Sequence, residues 1–310
     1  MKSSFAIKTP SPWPTNKLAV LDMCRDWYNP NLVEVNTQVI EKMPVGEVVP
    51  PAIGETNLEQ LGAETPLADA AAFAVAMNAI NYMFWDVNEQ NQFERYQHKG
   101  QIGALAMTEA FKQAWEDPHS ALSRARQGVA LTANDITQMF GPIPEVESRV
   151  QILNEVLVGP TLPQLAQEIA QSESFDTTTA HLLADAFPQA YGDNLLKKAQ
   201  LAVSGIWREA RLRGYEGECD LTAFADYQIP NVLRALGVLS YSHDLADRID
   251  NGHLIVENSP EEKAIRAAAV LAVEEIAQVQ GVSVADVDFW VWLKRKEPKT
   301  PFHLTRTTAY

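Results

Sequence analysis

The stretch TPLADAAAFAVAMNAINYMFW, residues 65–85, decides the class of fold. Bulky residues recur at Phe73, Met77, Ile80 and Phe84 with alanines between them, the 3–4 spacing of a helix buried in a core. Thr65 reads as its N-cap and Pro66 as its first helical residue. A bilayer crossing needs about 20 consecutive apolar residues. Asp69, Asn78 and Asn81 interrupt this run, so it predicts a globular core helix and no membrane span.

Outward from it, helical periodicity recurs at 145–158, 162–170, 178–187, 195–213, 230–240 and 261–280. Caps are readable at Thr132 before Asp135, at Ser283 before Asp286, and at Ser259-Pro260-Glu261-Glu262, a capping box with proline at the first helical position. Alternating runs of Val, Ile, Thr and aromatic residues, the mark of strands, are nearly absent. An all-α fold follows, with short connections and neither repeats nor low-complexity linkers, hence a single domain over 1–310. Seven of the 18 prolines fall in the first fifty-one residues, at 10, 12, 14, 30, 44, 50 and 51. Proline fixes φ and lacks an N–H, so residues 1–60 are expected to be an extended segment wrapping that domain. One short helix is expected near Leu32 to Met43, with Trp13 and Trp27 tucked onto the body.

With 25 Lys and Arg against 40 Asp and Glu, the net charge of −15 repels polyanions and argues against a DNA or RNA duplex as partner. A small anionic ligand needs a locally positive pocket built against that field. Met1 to Ala6 has a lysine but no apolar run behind it, which predicts a cytoplasmic protein. Cys24 and Cys219 are too few for a disulfide framework or a thiolate zinc site and read as buried apolar residues. None of the six histidines lies three or four residues from another, so no metal site and no cofactor is expected. Phosphate loops, dinucleotide fingerprints and hydrolase elbows have no match.

Three clusters remain. In LTAFADYQIP, residues 221–230, the lone carboxylate Asp226 precedes a helix expected to begin near Pro230 and faces its positive end. It reads either as a cap or as a catalytic group. In NYMFWD, residues 81–86, the buried helix ends in three aromatics within four positions, either core or a platform for a base. Lys197-Lys198-Ala199-Gln200 offers one inward lysine or two solvated ones. The basic run Lys294-Arg295-Lys296 suits the negative end of the helix before it.

Taken in order, these segments resemble the queuosine salvage protein family over most of the chain. LTAFADYQIPNVLRALGVLSYSHDLADRI, residues 221–249, is similar to the family's Thr-x-(Phe/Tyr)-Ala-Asp-Tyr-x-(Val/Ile)-Pro-x-Val-Leu run and its following Leu-Gly-x-Leu-x-Tyr-Ser. Asn81 to Trp85 is similar to its Asn-Phe-x-Phe-Trp. Arg95-Tyr96 upstream of Gly100, Lys198-Ala199-Gln200, Ile265-Arg266 with Ala272-Val273, and Thr305-Arg306-Thr307 with Tyr310 complete the match. Ala104 and Leu105 depart from the aromatic pair the family often carries after Gly103, and His303 departs from a polar or basic residue.

The resemblance implies a helical fold similar to helix-hairpin-helix DNA glycosylases, no metal, and release of queuine from queuosine 5′-monophosphate as small-molecule substrate. Cutting a ribosyl N–C bond develops positive charge on the sugar, which a fixed carboxylate stabilises. Asp226 matches the family's aspartate and is the catalytic candidate, as electrostatic stabiliser or as base for the attacking water. The leaving base has carbon where guanine has N7, so help must come at another ring atom, with Asn81 and Tyr227 as candidate donors. Phe84 or Trp85 is expected to stack on the base for about 1–3 kcal/mol, Tyr82 belongs to the same base-binding set, and Asp86 suits the base's cationic amine. Lys198 first, then Arg234 and Arg306, are the phosphate candidates. The alternatives are a non-catalytic deazapurine-binding protein, a hydrolase of a related modified nucleoside or nucleotide, and a helical scaffold.

Overall fold

The computed structural model describes residues 11–49, 61–87, 93–172 and 174–310. The chain enters through α1 (Lys17–Trp27), β1 (Val33–Val35) and α2 (Thr37–Glu41), then the helix α3 (Leu67–Ala79). Two pairs of short strands follow, β2 (Trp85–Val87) with β3 (Phe93–Arg95) and β4 (Gln97–His98) with β5 (Gln101–Ile102). A helical run comprises α4 (Ala104–Glu116), α5 (Ala121–Arg126), α6 (Ala133–Phe140), α7 (Val146–Leu157) and α8 (Thr161–Gln171). β6 (Phe175–Asp176) leads to α9 (Thr177–Ala186), α10 (Pro188–Tyr191) and α11 (Lys197–Leu212). β7 (Cys219–Asp220), α12 (Gln228–Ala235), β8 (Leu239–Tyr241), α13 (His243–Asp250), α14 (Pro260–Gln280) and α15 (Val284–Leu293) complete the order.

The described chain is therefore mostly helical, as expected, and its strands are pieces of two or three residues that pair two by two. β1 and β8 join antiparallel, Val33 opposite Tyr241, and β6 and β7 join parallel. Pieces this short show no alternation in sequence. One hydrophobic cluster runs from Val20 to Tyr310, and both Cys24 and Cys219 are buried in it. Among the described residues no single helix is long and apolar enough to cross a membrane.

α3 is the hub, with nine residues from Ala70 to Ala79 buried. Its alanines let α11 lie close: a Cβ added at Gly205 would sit 3.6 Å from that of Ala74. The helix expected to continue to Trp85 stops at Ala79. Asn78 turns its amide back onto the Ala74 carbonyl at 3.0 Å, and Met83 takes a left-handed φ of 40°. The carbonyls thus released are taken by buried cations. Lys198 Nζ donates to Ala79 O at 2.8 Å, Arg149 of α7 to Ile80 O at 2.6 Å and Tyr82 O at 2.8 Å, and Lys197 Nζ to Asn81 O at 3.3 Å. Three positive side chains at the negative end of a helix replace the bonds a further turn supplies. Thr65 is no cap either: Pro66 occupies that position, and the Thr65 hydroxyl donates to Leu61 O.

Three further expectations are corrected. The N-terminal part carries a helix of 11 residues, α1, because Asn16 caps it through Ala19 N–H and its buried Val20 and Cys24 face α14. The helix expected near Leu32 to Met43 shrinks to α2 behind β1. The helix expected from Pro230 to Ser240 starts at Gln228 and ends at Ala235, where Gly237 at φ 73° turns the chain into β8. Trp13 and Trp27 do pack onto the core. Residues 1–10 and 50–60, with Pro10, Pro50 and Pro51, lie outside the described residues. The caps at Thr132, Ser259 and Ser283 all form. At Ser259 the box is incomplete, since Glu262 reaches Asn258 N–H at 3.2 Å.

Candidate active site

Residues 221–227 carry no regular structure, and three helices hold them by hydrogen bonds instead. From α11, buried Gln200 accepts the Thr222 N–H and donates to its hydroxyl, both at 2.8 Å. From α15, Asp288 Oδ1 accepts the Phe224 N–H at 2.8 Å. From α14, Arg266 Nε donates to Ala225 O at 3.0 Å, while its two terminal nitrogens grip the buried Asp193 carboxylate at 2.9 and 2.7 Å. Asp226 comes next. Its Oδ1 accepts the Gln228 and Ile229 N–H groups at 2.6 and 3.2 Å, the free donors that open α12. Its Oδ2 lies 4.0 Å from Lys197 Nζ.

These groups open onto a cavity of about 290 Å³. One wall is the segment after α3, with Asn81, Tyr82 and Phe84, and another is Phe224, Asp226 and Tyr227. Lys197, Leu201 and Arg208 line it from one stripe of α11, and Asp288, Phe289, Trp292, Arg295 and Lys296 from α15 and its exit. Gly103, Ala104 and Leu105 close a further side, so two positions at which the sequence departs from the family pattern face the interior. Tyr227 packs on Phe302 with ring centroids 4.5 Å apart, and Arg95 lies over that same Phe302 ring.

The cavity is positive in an acidic protein. Arg95, Lys197, Arg208, Arg295 and Lys296 line it against Asp226 and Asp288. Among the described residues, Arg208, Arg295 and Lys296 form no ion pair. Arg208 instead lies over the Phe289 ring and Arg295 over that of Trp292. Burial holds the Lys197 ammonium below the ordinary lysine range, with the Asp226 and Asp288 carboxylates opposing the shift. Burial pushes the Asp288 carboxyl up to about 7; the Asp226 charge adds to the rise, and the Phe224 N–H, Lys197 and Arg208 oppose it. Such a chamber can stabilise a developing cation with a fixed carboxylate and hold an anion nearby.

Of the residues singled out in the sequence, Asp226, Asn81, Tyr82, Phe84 and Tyr227 meet at the cavity. Asp226 caps α12 through Oδ1 and, with the same side chain, lines the cavity. Five others lie elsewhere. Trp85 is buried and stacks on Phe93. Asp86 pairs with Arg306, which also reaches Glu145 at 3.6 Å, beside a neighbouring groove. Arg234 is held by Asp250 through two bonds of 2.7 and 2.8 Å. Lys198 is committed to the end of α3, and burial depresses its ammonium far below the usual range. Lys198, Arg234 and Arg306, the residues expected to bind an anion, thus stand outside the lining of this cavity, one buried in the core and the others paired with carboxylates. Arg208 and Asp288 belong to no cluster read from the sequence, and Lys197, Arg295 and Lys296 stand in clusters from which the sequence does not assign them to the site. Asp288 has a legible signal: of the two aspartates in the apolar helix VADVDFWVWL, Asp286 belongs to the Ser283 cap and Asp288 does not.

A family model described as queuosine salvage protein matches residues 62–310. A protein of Sphaerobacter thermophilus named queuosine 5′-phosphate N-glycosylase/hydrolase is 28% identical over 301 residues, 88% of this chain and 90% of the relative. A mouse protein of the same name is 25% identical, covering 78% of this chain and 83% of its own. The Schizosaccharomyces pombe namesake is 37% identical over 110 residues, 33% of this chain and 32% of its own.

Proposed function

The chain belongs to the queuosine salvage protein family, and from that premise we propose that it hydrolyses the N-glycosidic bond of queuosine 5′-monophosphate to release queuine. One observation carries the reading: the Asp226 carboxylate, aromatic walls and cations that form no ion pair among the described residues meet in one cavity. As the bond from C1′ to the base breaks, the base keeps the electron pair and the ribose ring becomes cation-like. Asp226 stabilises that charge through Oδ2. With Oδ1 held by two backbone donors, the carboxylate is aligned before the reaction and needs no reorganisation.

Water enters opposite the departing base, and Asp226 takes its proton. Lys197 Nζ stands 4.0 Å from Oδ2 on the cavity side. The base lies among Tyr82, Phe84, Phe224 and Tyr227, each such stack contributing about 1–3 kcal/mol. The absence of ion pairs on Arg208, Arg295 and Lys296 among the described residues supports this group as the phosphate site, in place of Arg234 and Arg306. The same reading takes the chain as one domain of the helix-hairpin-helix DNA glycosylase type, acting on a free nucleotide in the cytoplasm.

The test is chromatography with mass detection on wild type and Asp226→Asn, each given queuosine 5′-monophosphate, queuosine or guanosine monophosphate. Wild type releases queuine from the first, and the folded variant does not. Ligand-induced thermal stabilisation without release from any substrate makes the chain a deazapurine-binding protein instead.

A further inference from the structure

Asp288 is the one cavity acid to which the mechanism above gives no chemical task. It sits mid-helix in α15, 5% exposed, and the Phe224 N–H is the single hydrogen bond its side chain makes among the described residues. Asp226, by contrast, accepts two N–H groups and faces Lys197. One cavity therefore holds two carboxyl groups in different settings, one rich in donors and one poor. Two carboxyl groups held in such different settings within one site can divide acid and base tasks between them.

Resting on the hydrolase reading, we propose that Asp288 is the general acid that protonates the departing base, with Asp226 as its counterpart at the sugar. A 7-deazaguanine has no N7 to protonate, so the proton goes to N3 in the pyrimidine half. The water oxygen bonds to C1′ while the C1′–N9 pair leaves with the base. Asp226 accepts a proton from that water, and Asp288 gives its own. One water is consumed, and ribose 5-phosphate and queuine leave, the deazaguanine ring neutral and the side-chain amine still cationic. The proton on Asp226 returns to Asp288 through solvent, restoring both groups.

The surrounding charges set the working range. Lys197 and Arg208 face Asp288 from α11, Asp226 and Tyr227 from the segment before α12, and Arg295 and Lys296 from the exit of α15. Arg266 of α14 stands behind Ala225, and Asp220 lies in β7, which packs on α15. Burial outweighs the cations and leaves a carboxyl that is partly protonated near neutrality.

The test compares pH–rate profiles of full-length wild type and Asp288→Asn on two substrates. One is queuosine 5′-monophosphate; the other is 4-nitrophenyl β-ribofuranoside 5-phosphate, whose leaving group needs no proton. Asparagine keeps an acceptor for the Phe224 N–H. Wild type loses activity on the nucleotide above about pH 7, as the acid deprotonates. The variant is slower by about 10²–10⁴-fold on the nucleotide, lacks that alkaline limb, and changes less than about tenfold on the nitrophenyl substrate. Equal loss on both substrates, an unchanged alkaline limb, or a change in KM alone overturns the assignment. Failure of wild type to release queuine while it cleaves the nitrophenyl substrate strikes instead at the hydrolase reading beneath it.

Discussion

The Arg266 guanidinium holds the Ala225 carbonyl at 3.0 Å, one residue before Asp226, and with its other nitrogens closes a bidentate pair on Asp193. Both charges are buried, so removing one strands the other. Arg266→Met is expected to cost about 3–5 kcal/mol in urea unfolding and to lower kcat by freeing the backbone ahead of Asp226. Replacing Asp193 and Arg266 together by apolar residues recovers much of the stability and little of the rate.

Adjacent lysines should behave differently. Lys197→Met removes the cation beside Asp226 and a bond to Asn81 O. A charge-assisted bond is worth about 1.5–3 kcal/mol, so kcat is expected to fall at least about tenfold. Lys198→Met removes the partner of Ala79 O and lowers the unfolding midpoint, with KM for the nucleotide little changed. The KM and kcat of the two folded variants decide between them.

Phosphate recognition is tested by Arg295→Gln and Lys296→Gln. Each is expected to raise KM for queuosine 5′-monophosphate about tenfold, equivalent to about 1.4 kcal/mol, and to leave hydrolysis of queuosine nearly untouched. Arg306→Gln, which breaks its pairs with Asp86 and Glu145, has no such effect. Parallel losses on nucleotide and nucleoside remove the phosphate role.

His303 makes stability depend on pH. Burial, with Arg266 adding to it, pushes its imidazole down to about 3, whereas an unfolded histidine titrates near 6.5. Between those values the unfolded chain binds a proton that the folded one refuses, so stability falls as pH drops. From pH 7 to pH 5 this contribution falls by about 2 kcal/mol. His303→Leu should lose correspondingly less over that interval in urea titrations; identical losses contradict the assignment.

Legibility followed the length of the physical signal. The capped helix α14 is readable because Ser259 and Pro260 mark its start and twenty residues of periodicity confirm it. The end of α3 is not, because the carbonyls of Ile80, Tyr82 and Met83 find their partner in Arg149, 66 to 69 residues away in sequence. Asp226 stands out as a carboxylate among apolar residues. The choice between Lys197 and Lys198 does not, since neighbours on a helix point about 100° apart and the left-handed Leu196 that starts α11 sets which one faces the cavity. Arg234 looked free until Asp250, 16 residues on, took both of its terminal nitrogens.

Residues 221–227 have no ladder of their own and are fastened to α11, α14 and α15 at Thr222, Ala225 and Phe224. A segment tied to three separate core helices cannot open without pulling one of them from its seat. The Phe224 amide should therefore exchange its hydrogen for deuterium only as slowly as the whole molecule unfolds. Heat would then abolish turnover and tertiary structure at one temperature, with no cooler interval in which the folded protein has already lost its aspartate alignment.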